Sequence, residues 1–137
     1  RAGHLIGIYP EGTLTRDENL WPMVAKTGAA RLAILTQTPV IPVAAWGPQE
    51  VLPRYSKRVH FWPRTKVTFH AGNALDLSPW YGKAEDQQSL IEATAFIMKA
   101  LTKLLEEIRG ESAPQIPLDS RAAGFPRTGN FKKVKKA

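Results

Sequence analysis

The chain has 137 residues, 43% of them hydrophobic and none of them cysteine. That is enough for one domain with its own core and excludes a disulfide framework or a cysteine-built zinc site. No segment approaches the ~18 consecutive apolar residues of a membrane-spanning helix, and the N-terminus lacks the charged-then-apolar pattern of a secretory signal. The formal net charge of +7 is unevenly placed: residues 112–137 carry six Lys/Arg against Asp119 alone, whereas residues 1–111 are nearly balanced. The charge therefore belongs to the C-terminus more than to the fold.

In chain order, His4-Leu5-Ile6-Gly7-Ile8-Tyr9 is a short apolar run stopped by Pro10-Glu11-Gly12. It reads as a buried strand ending in a turn. Domains rarely open on a core strand, so the chain reads as a piece of something longer. A polar loop over residues 13–23 leads to residues 26–37, where Ala29, Ala30, Leu32, Ala33 and Ile34 predict a helix closed by Thr38-Pro39. Val40-Ile41-Pro42-Val43-Ala44-Ala45 predicts a second strand, with Pro42 confining it to an edge or a bulge. The strand, helix, strand order predicts a right-handed crossover between parallel strands.

Residues 46–65 read as a loop rich in proline, arginine and aromatics, and Lys66-Val67-Thr68-Phe69-His70 as a third strand by its alternation. From 85 to 109, Leu90, Ile97, Leu101, Leu104 and Ile108 recur at helical spacing, with Lys99, Lys103 and Glu107 for the wet face and Gly110 as terminator. The expected fold class is α/β, a mostly parallel sheet flanked by helices. The expected organisation is a domain over 1–110 and a basic tail without fixed structure over 111–137.

The chemistry-bearing stretch is Tyr9-Pro10-Glu11-Gly12-Thr13, a carboxylate and a hydroxyl on a turn beyond a strand end, where open α/β sheets bind ligands. By itself it could equally be an ordinary strand-to-loop turn. It resembles the Phe-Pro-Glu-Gly-Thr-Arg-Ser motif of the glycerolipid acyltransferases of the lysophosphatidic acid acyltransferase type. Lys26-Thr27-Gly28-Ala29 resembles that family's Lys-x-Gly-Ala helix opening, and Thr38-Pro39-Val40-Ile41-Pro42-Val43 its Val-Pro-Ile-Val-Pro-Val motif. Phe69 to Leu77 resembles a later Val-Gly-x-Pro-Leu-Asp segment, so the likeness spans about residues 3–77.

The resemblance implies the C-terminal part of an acyltransferase of phospholipid biosynthesis. It would move a fatty acyl group from acyl-CoA or acyl carrier protein to lysophosphatidic acid, giving phosphatidic acid, without metal or cofactor. Glu11, Gly12 and Thr13 match positions that hold the acceptor's glycerol phosphate; Pro39, Val40, Ile41, Pro42 and Val43 match the acyl region. Leu14 stands where the family has arginine, and leucine cannot grip a phosphate. Arg16, two residues on, and Lys26, at a helix start where anions are favoured, are the candidates to replace that contact.

The family's catalytic signature is His-x4-Asp, the histidine acting as base and the aspartate orienting it. Five positions after His4, His60 and His70 stand Tyr9, Thr65 and Leu75, so the pair is absent, no histidine takes a role, and the fragment alone is expected to be inactive. In the family the pair lies N-terminal to the Pro-Glu-Gly-Thr block.

The loop 54–66 carries Arg54, Lys57, Arg58, Arg64 and Lys66 with Tyr55, Phe61 and Trp62 and no acid. Such a surface suits the anionic cytoplasmic face of the cell membrane, with peripheral attachment, and Lys132-Lys133-Val134-Lys135-Lys136 reads as a second tether. The same charges could equally suit nucleic acid or form a plain solvated loop; the expected partner is the membrane surface and not nucleic acid. A related acyltransferase acting on glycerol 3-phosphate or a glycolipid, or a basic binding module without chemistry, remain the alternatives.

Overall fold

The computed structural model describes residues 3–125. Its elements in order are α1 (Gly28–Thr36), β1 (Val43–Trp46), a single-turn α2 (Pro48–Val51), β2 (Thr68–Ala71), a 3-10 turn (Ser78–Trp80) and α3 (Gln87–Arg109).

The helix α3 is the spine of the fold. Asp86 caps its start, accepting a hydrogen bond from the Ser89 N–H at 2.8 Å, and Gly110 closes it in the left-handed region (φ 67°), its N–H donating to the Glu106 carbonyl. The N-terminal half of α3 packs Leu90, Ala93 and Ile97 against Ala30, Ala33 and Ile34 of α1, with Leu77 and Ala84 completing the cluster. Its C-terminal half packs Leu104 and Leu105 against Ala44 of β1 and Trp21. The expected periodic residues thus form the buried stripe, with Leu101 and Ile108 at its partly exposed margins.

The sheet differs from the expectation. Among the described residues it has two strands, antiparallel, with Val43 opposite Ala71 and Trp46 opposite Thr68. A parallel return needs a crossover element lying on the sheet face. Residues 47–67 supply only the single turn α2 followed by loop, so the chain doubles back beside β1. Pro42, which has no N–H to give, stands just before β1 and contributes its carbonyl instead, accepting from Gly72 N–H at 2.9 Å. An isolated antiparallel bridge between Val40 and Leu75 extends the pairing outward.

The first expected strand is also corrected. Residues 4–9 form no strand and are exposed, Leu5 94% and Tyr9 90%. With no neighbouring strand among the described residues to take its backbone groups, this run has neither a ladder nor a face to pack on. At the other end, residues 113–125, where no fixed structure is expected, carry defined contacts. Val24 N–H donates to the Leu118 carbonyl at 3.0 Å, Ala113 N–H to the Glu106 carboxylate at 2.7 Å, and Phe125 lies 5.6 Å from the Arg16 guanidinium. The lysine cluster 132–136 lies outside the described residues.

Candidate functional site

The Tyr9-to-Thr13 stretch forms a tight turn in which Gly12 N–H donates to the Tyr9 carbonyl at 3.0 Å. Gly12 sits at φ 66°, a conformation that costs other residues a steric clash. The loop that follows is pinned at both ends. At its base Lys26 N–H donates to the Pro10 carbonyl at 3.0 Å. At its far end the Asp17 carboxylate accepts from Asn19 and Trp21 N–H, and Arg54 donates to the Thr15 and Asp17 carbonyls.

Lys26 is the side chain that closes over the turn. A β-carbon placed on Gly12 would stand 3.0 Å from the Lys26 Nζ. Glycine at position 12 is required by the backbone conformation, whereas the flexible Lys26 tip could move aside for a β-carbon. Lys26 itself is exposed, so its charge is available to solvent and to ligand.

Glu11 turns the other way, accepting a hydrogen bond from the Met23 N–H at 3.1 Å. Burial pushes its carboxyl above the ordinary carboxylate value, with the Met23 N–H partly opposing. Met23 also receives the Arg16 N–H on its sulfur at 3.1 Å, so Glu11 and Arg16 are tied to one buried residue. Arg16 is 3% exposed, and its Nε and Nη2 have no hydrogen-bond partner. A buried guanidinium with two unpaired nitrogens is costly, and the Phe125 ring lies against it. Thr13 is partly exposed.

Residues 39–43 lie apart from this turn in the chain order and in character. Pro39, Ile41 and Val43 are exposed, Val40 is partly buried, and Pro42 is buried against Gly72 and Leu104. Pro42 lines a shallow cleft of about 350 Å³ with His70, Lys103 and Glu107. There His70 Nδ1 stands 3.3 Å from the Glu107 carboxylate, both side chains half exposed. No cluster of His and carboxylate side chains suited to a metal occurs among the described residues.

Sequence reasoning missed Met23 and Arg54 as the residues that shape the loop. Arg54 looks in sequence like a member of a basic surface patch, and nothing local shows that its guanidinium reaches back 39 residues to Thr15. It missed too the stack in which the Arg109 guanidinium lies 3.8 Å from the Trp21 ring centre and 4.3 Å from that of Trp46. That stack, together with the Arg109 hydrogen bond to the Asn19 carbonyl at 2.8 Å, fastens the loop to the end of α3.

A family model described as Acyltransferase matches residues 1–46, which take in the turn, the pinned loop, α1 and β1, about a third of the chain. The match supports an acyltransferase family, and with it acyl transfer as the class of reaction. No curated protein and no solved structure matches the chain.

Proposed function

We propose that the chain is the acceptor-holding part of an acyltransferase of phospholipid biosynthesis. The transferred group would come from acyl-CoA or acyl carrier protein, and the acceptor would be lysophosphatidic acid. The observation that carries this reading is the Gly12 turn with the exposed Lys26 ammonium lying beside it. Gly12, Thr13 and Lys26 would contact the glycerol phosphate. Glu11 would hold the turn in shape through Met23, and Arg16 would supply the guanidinium that Leu14 does not. The Arg16 Nε and Nη2 have no hydrogen-bond partner but are shut off from solvent, so this contact would require the loop over residues 13–21 to open. The apolar edge of residues 39–43 would face one of the two acyl chains in the reaction.

The proton acceptor in this scheme is a His-x4-Asp pair that the 137 residues do not contain. Acyl transfer by the purified chain alone would sink that part of the proposal. The acceptor site is tested by titrating lysophosphatidic acid and glycerol 3-phosphate while following backbone amide signals. Shifts are expected at Gly12, Thr13 and Lys26, and Lys26→Ala should weaken binding by roughly tenfold, the worth of one charge-assisted contact. Equal affinity of the variant and the parent would refute the site.

The loop after β1 supports peripheral attachment to the cytoplasmic face of the membrane. Phe61 is 79% and Trp62 83% exposed, with Arg58, Arg64 and Lys66 exposed beside them. No described helix is long and apolar enough to cross a membrane. Salt-sensitive binding to DNA with indifference to anionic vesicles would replace this reading with a nucleic-acid one.

A further inference from the structure

A groove of about 630 Å³ runs along α3, lined also by residues 21–25 and by Ala113, Pro114, Gln115 and Pro117. Its floor is the stripe Ile91, Ala95, Met98, spaced four and three residues apart and therefore on one face of the helix. Neither core cluster contains these residues, and Ile91 is 48% exposed. Two of the polar groups on the lining are already engaged within the chain. The Thr94 hydroxyl donates to the Leu90 carbonyl at 2.7 Å, and the Glu106 carboxylate takes the Ala113 N–H at 2.7 Å. The outer wall includes Pro114 and Pro117, which have no N–H to offer. It is held in place by that Glu106 bond and by Val24 N–H on the Leu118 carbonyl.

Two cations complete the lining. Lys99 and Lys103 lie one helical turn apart, both exposed, beyond the Ile91-to-Met98 floor. An apolar trough carrying two ammonium groups, its Glu106 carboxylate already taking the Ala113 N–H, is complementary to an amphiphile with an apolar tail and an anionic head. Its volume falls within the ~300–1,000 Å³ of small-molecule sites.

We infer that this groove binds a long fatty acyl chain, its tail against Ile91, Ala95 and Met98 and its anionic head at Lys99 and Lys103. The choice of an acyl chain over other apolar anions rests on the acyl-transfer reading. The chain could arrive on the donor or on the acceptor, since both carry negative charge beside a long tail.

The test is calorimetric titration of the 137-residue chain with decanoate, dodecanoate and tetradecanoate, each below its micellar concentration. Affinity should rise about fourfold per added methylene, the transfer value for a buried CH₂. Ala95→Trp, which fills the trough from an exposed helix position, should lower affinity at least tenfold. Ile91→Glu provides the same check at a second exposed position should the tryptophan variant unfold. The double variant Lys99→Glu, Lys103→Glu should weaken all three ligands alike and leave the chain-length slope intact, and tetradecanol should bind less tightly than tetradecanoate.

Absence of saturable uptake, or uptake indifferent to both trough variants, overturns the inference. Ala95-dependent binding to anionic vesicles without uptake of monomeric amphiphile overturns it in favour of a membrane-docking face. Competition by dodecanoyl-CoA or by lysophosphatidic acid assigns the chain to donor or acceptor. Uptake of tetradecanoate without any amide shift at Gly12 on adding lysophosphatidic acid leaves the groove standing and removes the acceptor site. The reverse pattern removes the groove alone.

Discussion

Residues 4–9 and the inner face of α3 are both strings of aliphatic side chains, yet one is exposed and the other forms the core. The difference lies in the backbone. A helix satisfies its own N–H and C=O groups, so α3 needs only one apolar face covered, and α1, β1 and the Trp21 loop cover it. An extended run has no internal hydrogen bonds and becomes core only when other strands supply both a ladder and a facing layer. Apolar composition is a demand for burial, and secondary structure decides how many neighbours must arrive to meet it.

Paired truncations give the sharpest test. Leu90→Ala, at a wholly buried position, should destabilise the fold by about 2–5 kcal/mol. Ile6→Ala, in the exposed run, should stay within about 0.5 kcal/mol. Urea denaturation of both variants measures the contrast, and equal losses would mean that the run packs in solution after all.

Next in size is the clasp joining the loop to α3. Arg109→Ala should cost about 2 kcal/mol through loss of the contacts to Trp21 and Trp46 and of the Asn19 hydrogen bond. Arg109→Lys should recover only part, because an ammonium lacks the flat face that both indoles stack on. A lysine variant as stable as the parent would show that charge alone is what matters there.

Arg16 should behave in the opposite sense. Replacing a buried cation that has two unpaired nitrogens by a residue of similar volume is expected to be neutral or to stabilise by about 1 kcal/mol. Arg16→Met should therefore melt no lower than the parent while losing affinity for lysophosphatidic acid. A large destabilisation would make Arg16 part of the core and take it out of the site.

The smallest effect is the pH response of Glu11. Its carboxyl is raised in the folded state, so between the unfolded and folded values the native chain holds more protons than the unfolded one. Stability should fall as pH rises through that window, beginning near the ordinary glutamate value of 4.5. Asp86, lowered by its bonds to Ser89, acts oppositely, and its contribution is lost as pH falls through its folded value. Glu11→Gln should remove the first slope and keep the second, as read from unfolding midpoints across an acid series. An unchanged profile would mean that Glu11 is hydrated in solution.

Sequence by itself determined the local features. The α3 stripe with its Gly110 terminator, the alanine-rich α1 and the tight turn at Gly12 follow from spacing, capping and backbone freedom within a few residues. Only the tertiary structure decided what depends on partners far along the chain. It set the antiparallel direction of β2, the exposure of residues 4–9, the burial of Arg16 beside Met23 and the reach of Arg54 to Thr15. The groove belongs to this second class. Ile91, Ala95 and Met98 look in sequence like the margin of an amphipathic helix, and they become a trough only because residues 21–25 and the segment from Ala113 to Pro117 come to lie against it. Periodicity assigns a residue to a face of its own element, but which other element meets that face is fixed by closures of the chain that no local window contains.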